Sequence, residues 1–417
     1  MSSTDEPAVP AEAAPVQAAH VEVDVIDTRE GYLAAIAALA SGHGPIAIDA
    51  ERASGYRYSQ RAYLIQIFRR GAGTYLFDPP AIGSFAELNE VIASEEWILH
   101  AASQDLACLR EVGIDPSELF DTELGARLLG LPRVGLGAEV EELLGIHLAK
   151  EHSAADWSTR PLPASWLEYA ALDVELLVDA AEELAARIED AGKSDIARQE
   201  FQATLAREAK APRAEPWRRL SGLHAVRGQR NLAVARELWV ARDELAQRRD
   251  TAPGRLIPDA SITAAAKANP GSKRDLAALS DFRGRASRTE LDLWWNAIHT
   301  GQTTEDLPGA RPASDTLPPP RSWSDKNPDA HARYTAARTK ILATAEFLTM
   351  PVENLLTPET LRRLAWTPPE PLTVETVAAA LAEHEARPWQ IDATARAITD
   401  AFVESAQSPV EPDPDAS

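Results

Sequence analysis

Short apolar runs bounded by Gly, Pro or Ser punctuate the first third of the chain, and Ala47 to Asp49, Leu64 to Phe68 and Tyr75 to Phe77 have the length and flanks of β-strands. A helical spacing follows at Phe85 to Ala93. Trp97 to His100 then has strand character, Gln104 to Glu111 helix character, and Thr122 to Leu129 forms a helix introduced by Asp121, a residue type suited to an N-cap. Strands and helices interleave over about 180 residues, which predicts an α/β domain with helices on the faces of a sheet. From Leu176 onward the spacing is that of long Ala, Leu and Glu helices, and no further strand is predicted. Breaks at Pro253, Pro258 and Pro270, a Pro-rich joint at Leu317 to Pro320 and a resumed helix from Ala330 to Leu348 divide this remainder into two small all-α domains. The first twenty residues are rich in Ala, Pro and acidic side chains without the apolar core of a signal peptide, and Pro409 to Ser417 is acidic and Pro-rich. Both ends are expected to be unstructured tails.

With 417 residues the chain has room for several domains, and 45% hydrophobic residues are enough to bury their cores. The single cysteine, Cys108, rules out an internal disulfide framework and any multi-thiolate zinc site, which fits a cytoplasmic protein. The longest apolar runs, such as Tyr32 to Ala40, fall short of the roughly 18 residues that a membrane span needs, so no membrane partner is expected. Charge changes the picture more. The net charge is −22, yet residues 201–290 carry +8 while residues 21–200 carry −18. A basic grip beside an acidic lobe is compatible with a metal-dependent nuclease, although charge alone does not single one out.

The acidic lobe contains the candidate chemistry. In Ile46-Ala47-Ile48-Asp49-Ala50-Glu51 a strand delivers two carboxylates one residue apart, and period-two geometry turns both to the same face. The second strand, ending at His100, runs into a helix with Asp105 in its first turn. Tyr169 and Asp173, at i and i+4, share one face of a later helix. Four carboxylates brought together repel one another unless cations neutralise them, so the set implies two divalent ions about 4 Å apart, and oxygen ligands favour Mg2+ or Mn2+. Tyr169 would orient the attacking water.

These three segments, Ile46 to Glu51, His100 to Leu109 and Tyr169 to Asp173, resemble in order and spacing the exonuclease motifs of the ribonuclease D family, in the tyrosine branch of the DEDD 3′-5′ exonucleases. The resemblance implies a ribonuclease H-like fold, metal ligation by Asp49, Glu51, Asp105 and Asp173, and water orientation by Tyr169. Asp121-Thr122, Gly130-Leu131 and the stretch Lys150 to Leu162 are similar to family features that lead into the third motif. Two positions depart: Arg52 follows the acidic pair where a small residue is frequent, and Ala155 precedes Asp156 where Ser is common.

Pro216 to Leu220, Arg236 to Arg242, Ile257 to Asp259 and Asn269-Pro270 resemble the HRDC domain, which implies nucleic-acid binding within the basic block. Arg218, Arg219, Arg227 and Arg230 are the candidate phosphate contacts there, and Arg160 either touches phosphate or orders its own loop. Arg333 to Phe347, Leu361 to Trp366 and Arg387 to Trp389 resemble the second helical domain of ribonuclease D, and its acidity suggests docking against the catalytic lobe. Trp157, His100 and Cys108 are read as packed residues. The expected organisation is therefore a tail (1–20), an exonuclease domain (21–205), an HRDC domain (210–295), a second HRDC-like domain (305–406) and a tail (407–417). The expected function is a 3′-5′ exoribonuclease that releases nucleoside 5′-monophosphates, with transfer RNA and other structured RNA as substrates. A DNA exonuclease of the same chemistry and a catalytically silent RNA-binding adaptor are the alternatives.

Overall fold

The computed structural model describes residues 24–148, 154–208, 213–309 and 317–407. The two expected tails, apart from residue 407, and residues 150–153 of the stretch before the third motif lie outside the described residues.

The first unit is a six-stranded sheet flanked by helices. In chain order its strands are β1 (Val25–Ile26), β2 (His43–Arg52), β3 (Ala62–Arg70), β4 (Gly73–Phe77), β5 (Glu96–Leu99) and β6 (Glu118–Asp121), and they lie in the order β1-β4-β3-β2-β5-β6. β2, β3 and β4 form an antiparallel meander, β5 runs parallel to β2, and β6 runs parallel to β5. The interior position of β2 follows from its composition, since both faces are covered. Ile46, Ile48 and Ala50 enter one hydrophobic core with Ile65 and Ile67 of β3, whereas Ala47 belongs to the core on the other side. Asp49 and Glu51 share that second face, as the alternation predicts.

Besides one short turn at Pro79–Ile82, the α-helices of this unit are α1 (Arg29–Ser41), α2 (Ala86–Ile92), α3 (Leu106–Glu111), α4 (Thr122–Leu128), α5 (Leu136–Leu144), α6 (Ala164–Glu175), α7 (Leu177–Asp190) and α8 (Ser194–Ala206). α6 packs on β2, β3 and β4, which brings the third motif over the Asp49 face. Sequence reading missed α1, because its run from Tyr32 to Ala40 is nearly uniformly apolar, and missed the short strands β1 and β6. The helix expected from Gln104 also starts differently: a 3-10 turn covers Ala102–Gln104 and the α-helix begins at Leu106, so Asp105 occupies the junction.

All remaining described elements are helical. The middle unit contains α9 (Gln229–Arg249), α10 (Asp259–Ala268) and α11 (Leu291–Thr303), packed around a core of its own that includes Trp217, Leu238, Ile262 and Trp294. The last contains α12 (Pro328–Phe347), α13 (Pro358–Trp366), α14 (Val374–Glu383) and α15 (Pro388–Gln407). This last unit docks on the first, as its acidity suggested. One continuous core runs from Leu128, Val178 and Phe201 to Trp323, Ile341 and Phe402. At the junction the buried Lys193 amine donates to the carbonyls of Leu128 and Leu348, satisfying chain ends that a helix leaves open. Gly130 lies so close that a Cβ there would fall 2.6 Å from the Thr349 carbonyl oxygen, and its φ of +71° adds a second reason for glycine. Buried Glu200 receives both Nε (2.6 Å) and Nη2 (2.7 Å) of Arg387 and the indole N–H of Trp389 (2.8 Å).

Glu200→Ala leaves the Arg387 guanidinium without its carboxylate at a largely buried joint. It is expected to destabilise the protein by about 3–5 kcal/mol, measured by denaturant unfolding followed through tryptophan emission. A change below 1 kcal/mol shows that the joint contributes little.

Candidate active site

Asp49 and Glu51 project from the C-terminal part of β2, and Asp173 reaches the same point from α6. One oxygen from each of the three carboxylates can be chosen so that all lie within 4.8 Å of one another. Among the described residues this is the group whose geometry could hold a metal ion. Tyr169, one turn before Asp173, donates its hydroxyl to that carboxylate. Asp49, Glu51, Tyr169 and Asp173 line a cavity of about 530 Å³, and Asp105 lines it as well.

Asp105 stands apart from the other three. It is nearly buried, it feels the charge of Asp49, and its nearest cation is the Arg52 guanidinium, 3.6 Å from Oδ1. The cavity thus carries three converging carboxylates and a fourth on its wall next to a fixed positive charge. That arginine is one of the two departures noted in the sequence.

Electrostatics here follow from burial. Desolvation raises the Asp49 carboxyl above its ordinary range. Desolvation, and then repulsion from Asp49, Asp173 and Asp105, pushes Glu51 up to about 10. Asp173 is pushed up to about 8, by burial first and by Asp49 second. Asp105 is raised by burial, then by Asp49, against the opposing pull of Arg52. Burial and the Asp173 charge also hold the Tyr169 phenol above its usual value, so it keeps its proton at neutral pH. Such a set either holds protons or holds cations, and its all-oxygen donors match hard divalent ions such as Mg2+ or Mn2+.

Several neighbours escaped the sequence reading. Gln66 on β3 is paired across from Asp49 and donates to its Oδ2 (3.3 Å), a contact that only the strand register reveals. His100 lines the cavity as well as packing. Its Nδ1 is 2.9 Å from the Thr122 hydroxyl and 3.5 Å from Oε2 of Glu139, whose carboxylate is fully buried. Burial lowers His100 to about 4 and raises Glu139 to about 8, which disfavours charge on both. Nothing in the helical pattern separates Glu139 from its half-exposed neighbours Glu141 and Glu142.

The five arginines proposed as phosphate contacts divide. Arg160 is employed inside the fold: Nε donates to Asp78 (2.5 Å), Nη1 to the Trp157 and Thr159 carbonyls, and Nη2 to the Tyr63 carbonyl. Of its two anticipated roles, the structure shows the one that orders the loop. Arg218 binds Glu215 (2.7 Å) and lies over the Trp217 ring, and Arg230 donates to the carbonyls of Gly301 and Thr304. Arg219 and Arg227 are exposed. Trp157 is fully buried against Trp166, a core residue as expected. Cys108 is buried on α3.

Comparison with known proteins adds to this geometry. A family model described as 3′-5′ exonuclease matches residues 23–189, the HRDC domain model matches 231–298, and a model of the 3′ to 5′ exonuclease C-terminal domain matches 316–402. Ribonuclease D of Pseudomonas paraeruginosa is 34% identical over 255 residues, which are 60% of this chain and 66% of that protein. Ribonuclease D of Escherichia coli is 31% identical over 258 residues, 60% of this chain and 68% of that one. The alignments thus span about two thirds of these relatives' length. Among solved structures, a protein from Bifidobacterium adolescentis superposes with a TM-score of 0.84 at 36% identity, covering 92% of this chain and 97% of the other. The structure of Escherichia coli RNase D, described as an exoribonuclease involved in structured RNA processing, gives 0.66 at 25% identity over 92% and 99% of the two chains.

The raised carboxyls fix a sign for the pH dependence. Glu51 goes from 4.5 to about 10 and Asp173 from 3.8 to about 8, so the folded protein binds these protons more tightly than the unfolded chain does. The stabilisation is complete below the unfolded values and is lost as pH rises through the folded ones. The metal-free melting temperature is therefore expected to fall between pH 5 and 9, with Mg2+ or Mn2+ restoring it most at the alkaline end. Calorimetric melts that rise across this window without metal contradict the assignment.

Proposed function

The chain belongs to the ribonuclease D family of 3′-5′ exoribonucleases, and from that premise we propose that it trims RNA one nucleotide at a time with two divalent ions held by Asp49, Glu51, Asp105 and Asp173. The single observation that carries this reading is the convergence of three carboxylates in a cavity that Tyr169 and Asp105 also line. Mg2+ or Mn2+, when bound, supplies electrostatic stabilisation of the charge that builds on the scissile phosphate and its leaving oxygen. Asp49, Glu51 and Asp173 would form the main ligand set, and Asp105 would contribute from the wall, with Arg52 as a neighbouring positive charge.

Tyr169 keeps its proton and is anchored to Asp173, so it acts by orienting the attacking water rather than by removing a proton from it. Water attacks phosphorus, the bond to the leaving 3′ oxygen breaks, that oxygen takes up a proton, and the released water proton passes to solvent. The products are a nucleoside 5′-monophosphate and an RNA one residue shorter with a free 3′-hydroxyl.

In this reading residues 21–205 form the catalytic domain, 210–295 the HRDC domain and 305–406 a second HRDC-like domain. Exposed Arg219 and Arg227 are the proposed phosphate contacts of the basic block, with Arg218 and Arg230 holding its surface in shape. Structured RNAs, precursor transfer RNA foremost, are the proposed substrates, in keeping with the description of the Escherichia coli relative. No helix among the described residues is long and apolar enough to cross a membrane. The unpaired Cys108 supports the proposal of a cytoplasmic setting.

Purified protein with Mg2+ or Mn2+ is expected to shorten a 5′-labelled RNA stepwise, faster than the matched DNA, and to stop on addition of EDTA or in Asp49→Ala. Cleavage that persists in either condition refutes the mechanism. Tyr169→Phe retains the ring and loses the hydroxyl, and it is expected to lower kcat by about 100-fold or more with little change in metal affinity by calorimetry. An unchanged kcat removes Tyr169 from the chemistry.

A further inference from the structure

The segment between β2 and β3, residues 53–61, leaves the strand that bears Asp49 and Glu51, and its Ser54, Gly55 and Tyr56 form part of the cavity wall. Much of its anchoring comes from outside its own domain. The Gly55 carbonyl accepts from Arg255 Nε (2.7 Å) and the Tyr56 carbonyl from the Ala252 N–H (2.9 Å). The Arg255 guanidinium also lies 3.8 Å from the centre of the Tyr56 ring. Tyr58 packs against the core of the middle helical unit, and its hydroxyl meets Asp243 (3.1 Å) and Gln247 (2.9 Å) of α9. Asp250, the residue that ends α9 in a left-handed conformation, accepts from the Ser59 N–H (2.8 Å) and from the Tyr63 hydroxyl (3.1 Å).

Apart from the Tyr63 contact at the start of β3, these contacts lie on one short segment, and several of them satisfy main-chain groups that a loose loop would leave to water. The geometry points to a positioning role for the middle unit: Asp243, Asp250 and Arg255 clamp residues 53–61 and so set the cavity wall against which the 3′-terminal nucleotide is placed. This rests on the nuclease reading above and goes beyond it, because it makes the helical domain part of the active-site construction and not only a grip on the body of the RNA. Arg255 and Asp250 act through the segment. Without the clamp the wall joins the loosely held regions that open at little cost, and small misplacement of a reacting group is expensive in rate.

Hydrogen exchange and short-substrate kinetics on the full-length chain test this. In Arg255→Ala and in Asp250→Asn, which keeps a residue that tolerates the left-handed turn, peptides covering 53–61 are expected to exchange faster while the centre of α9 stays protected. A di- or trinucleotide carries only one or two internucleotide phosphates and so depends far less than a long RNA on electrostatic contacts to the basic block. Its kcat/KM is expected to fall as much as that of a long RNA, on the order of 10- to 100-fold, mainly through kcat. Arg255→Lys, which keeps charge and reach, is expected to recover part of the loss. Unchanged exchange overturns the clamp, and a loss confined to long RNA with KM rising alone shows that the unit only holds substrate. If the wild-type chain cleaves neither substrate, the nuclease reading and the coupling both fall, while the exchange rates still decide whether the clamp exists.

Discussion

Like charges gathered in a cleft set the terms for everything around them. One strand and one helix bring Asp49, Glu51 and Asp173 within 4.8 Å, and partial burial removes the water that would otherwise screen them. Their protonation rises in response, which is the only relief available to the side chains by themselves. A bound dication offers a better one, because it satisfies several oxygens at once and leaves all of them ionised. The same repulsion explains why the surroundings are stiff. β2 is covered on both faces, its partner Gln66 is fully buried, and the helix bearing Tyr169 and Asp173 rests on three strands. A looser frame would let the carboxylates drift apart and lose the site.

The two helical units are joined to this frame by different physics. The last unit shares a hydrophobic core with the first, and its buried polar groups, Lys193 and Glu200, each have several partners. Removing one partner would strand a buried charge, so the joint is fixed. The middle unit keeps its own core and reaches the catalytic unit mainly through hydrogen bonds on residues 55–63. Contacts of that kind contribute about 1 kcal/mol each and exchange readily with water, so their effect is local shape more than global stability. One neighbour is built in, and the other braces a wall.

What could be read from the sequence was whatever depended on local period. Alternation placed Asp49 and Glu51 on one face of β2, and the i, i+4 spacing placed Tyr169 beside Asp173. The all-helical remainder followed from the change of period near Leu176. What was not legible depends on register and on contacts far apart in the chain. Gln66 meets Asp49 only because β3 pairs with β2 at that offset, and Glu139 faces His100 only because the chain brings α5 back beside that residue. Asp105 was placed correctly near a strand end, but the arginine beside it is a matter of side-chain direction that no spacing encodes. α1 was missed for the opposite reason: the unbroken apolar run from Tyr32 to Ala40 leaves no polar face to mark the helical period.

Formal charge misleads in a similar way, and the arginines show how. The +8 of residues 201–290 counts Arg218, Arg230, Arg236 and Arg242 equally with Arg219 and Arg227, yet the first four are engaged by carboxylates or carbonyls of the protein itself. An arginine tied to a carboxylate adds little to the field felt by a distant phosphate, so the effective basic surface is smaller than the sum. The acidic lobe is subject to the same correction with a larger consequence. Its most concentrated negative charge sits at the cavity, where bound cations would cancel it. A phosphate backbone approaching the metal-loaded site would therefore meet a local attraction that the bare −22 of the chain conceals, and ionic strength would weaken the outer grip more than the buried centre.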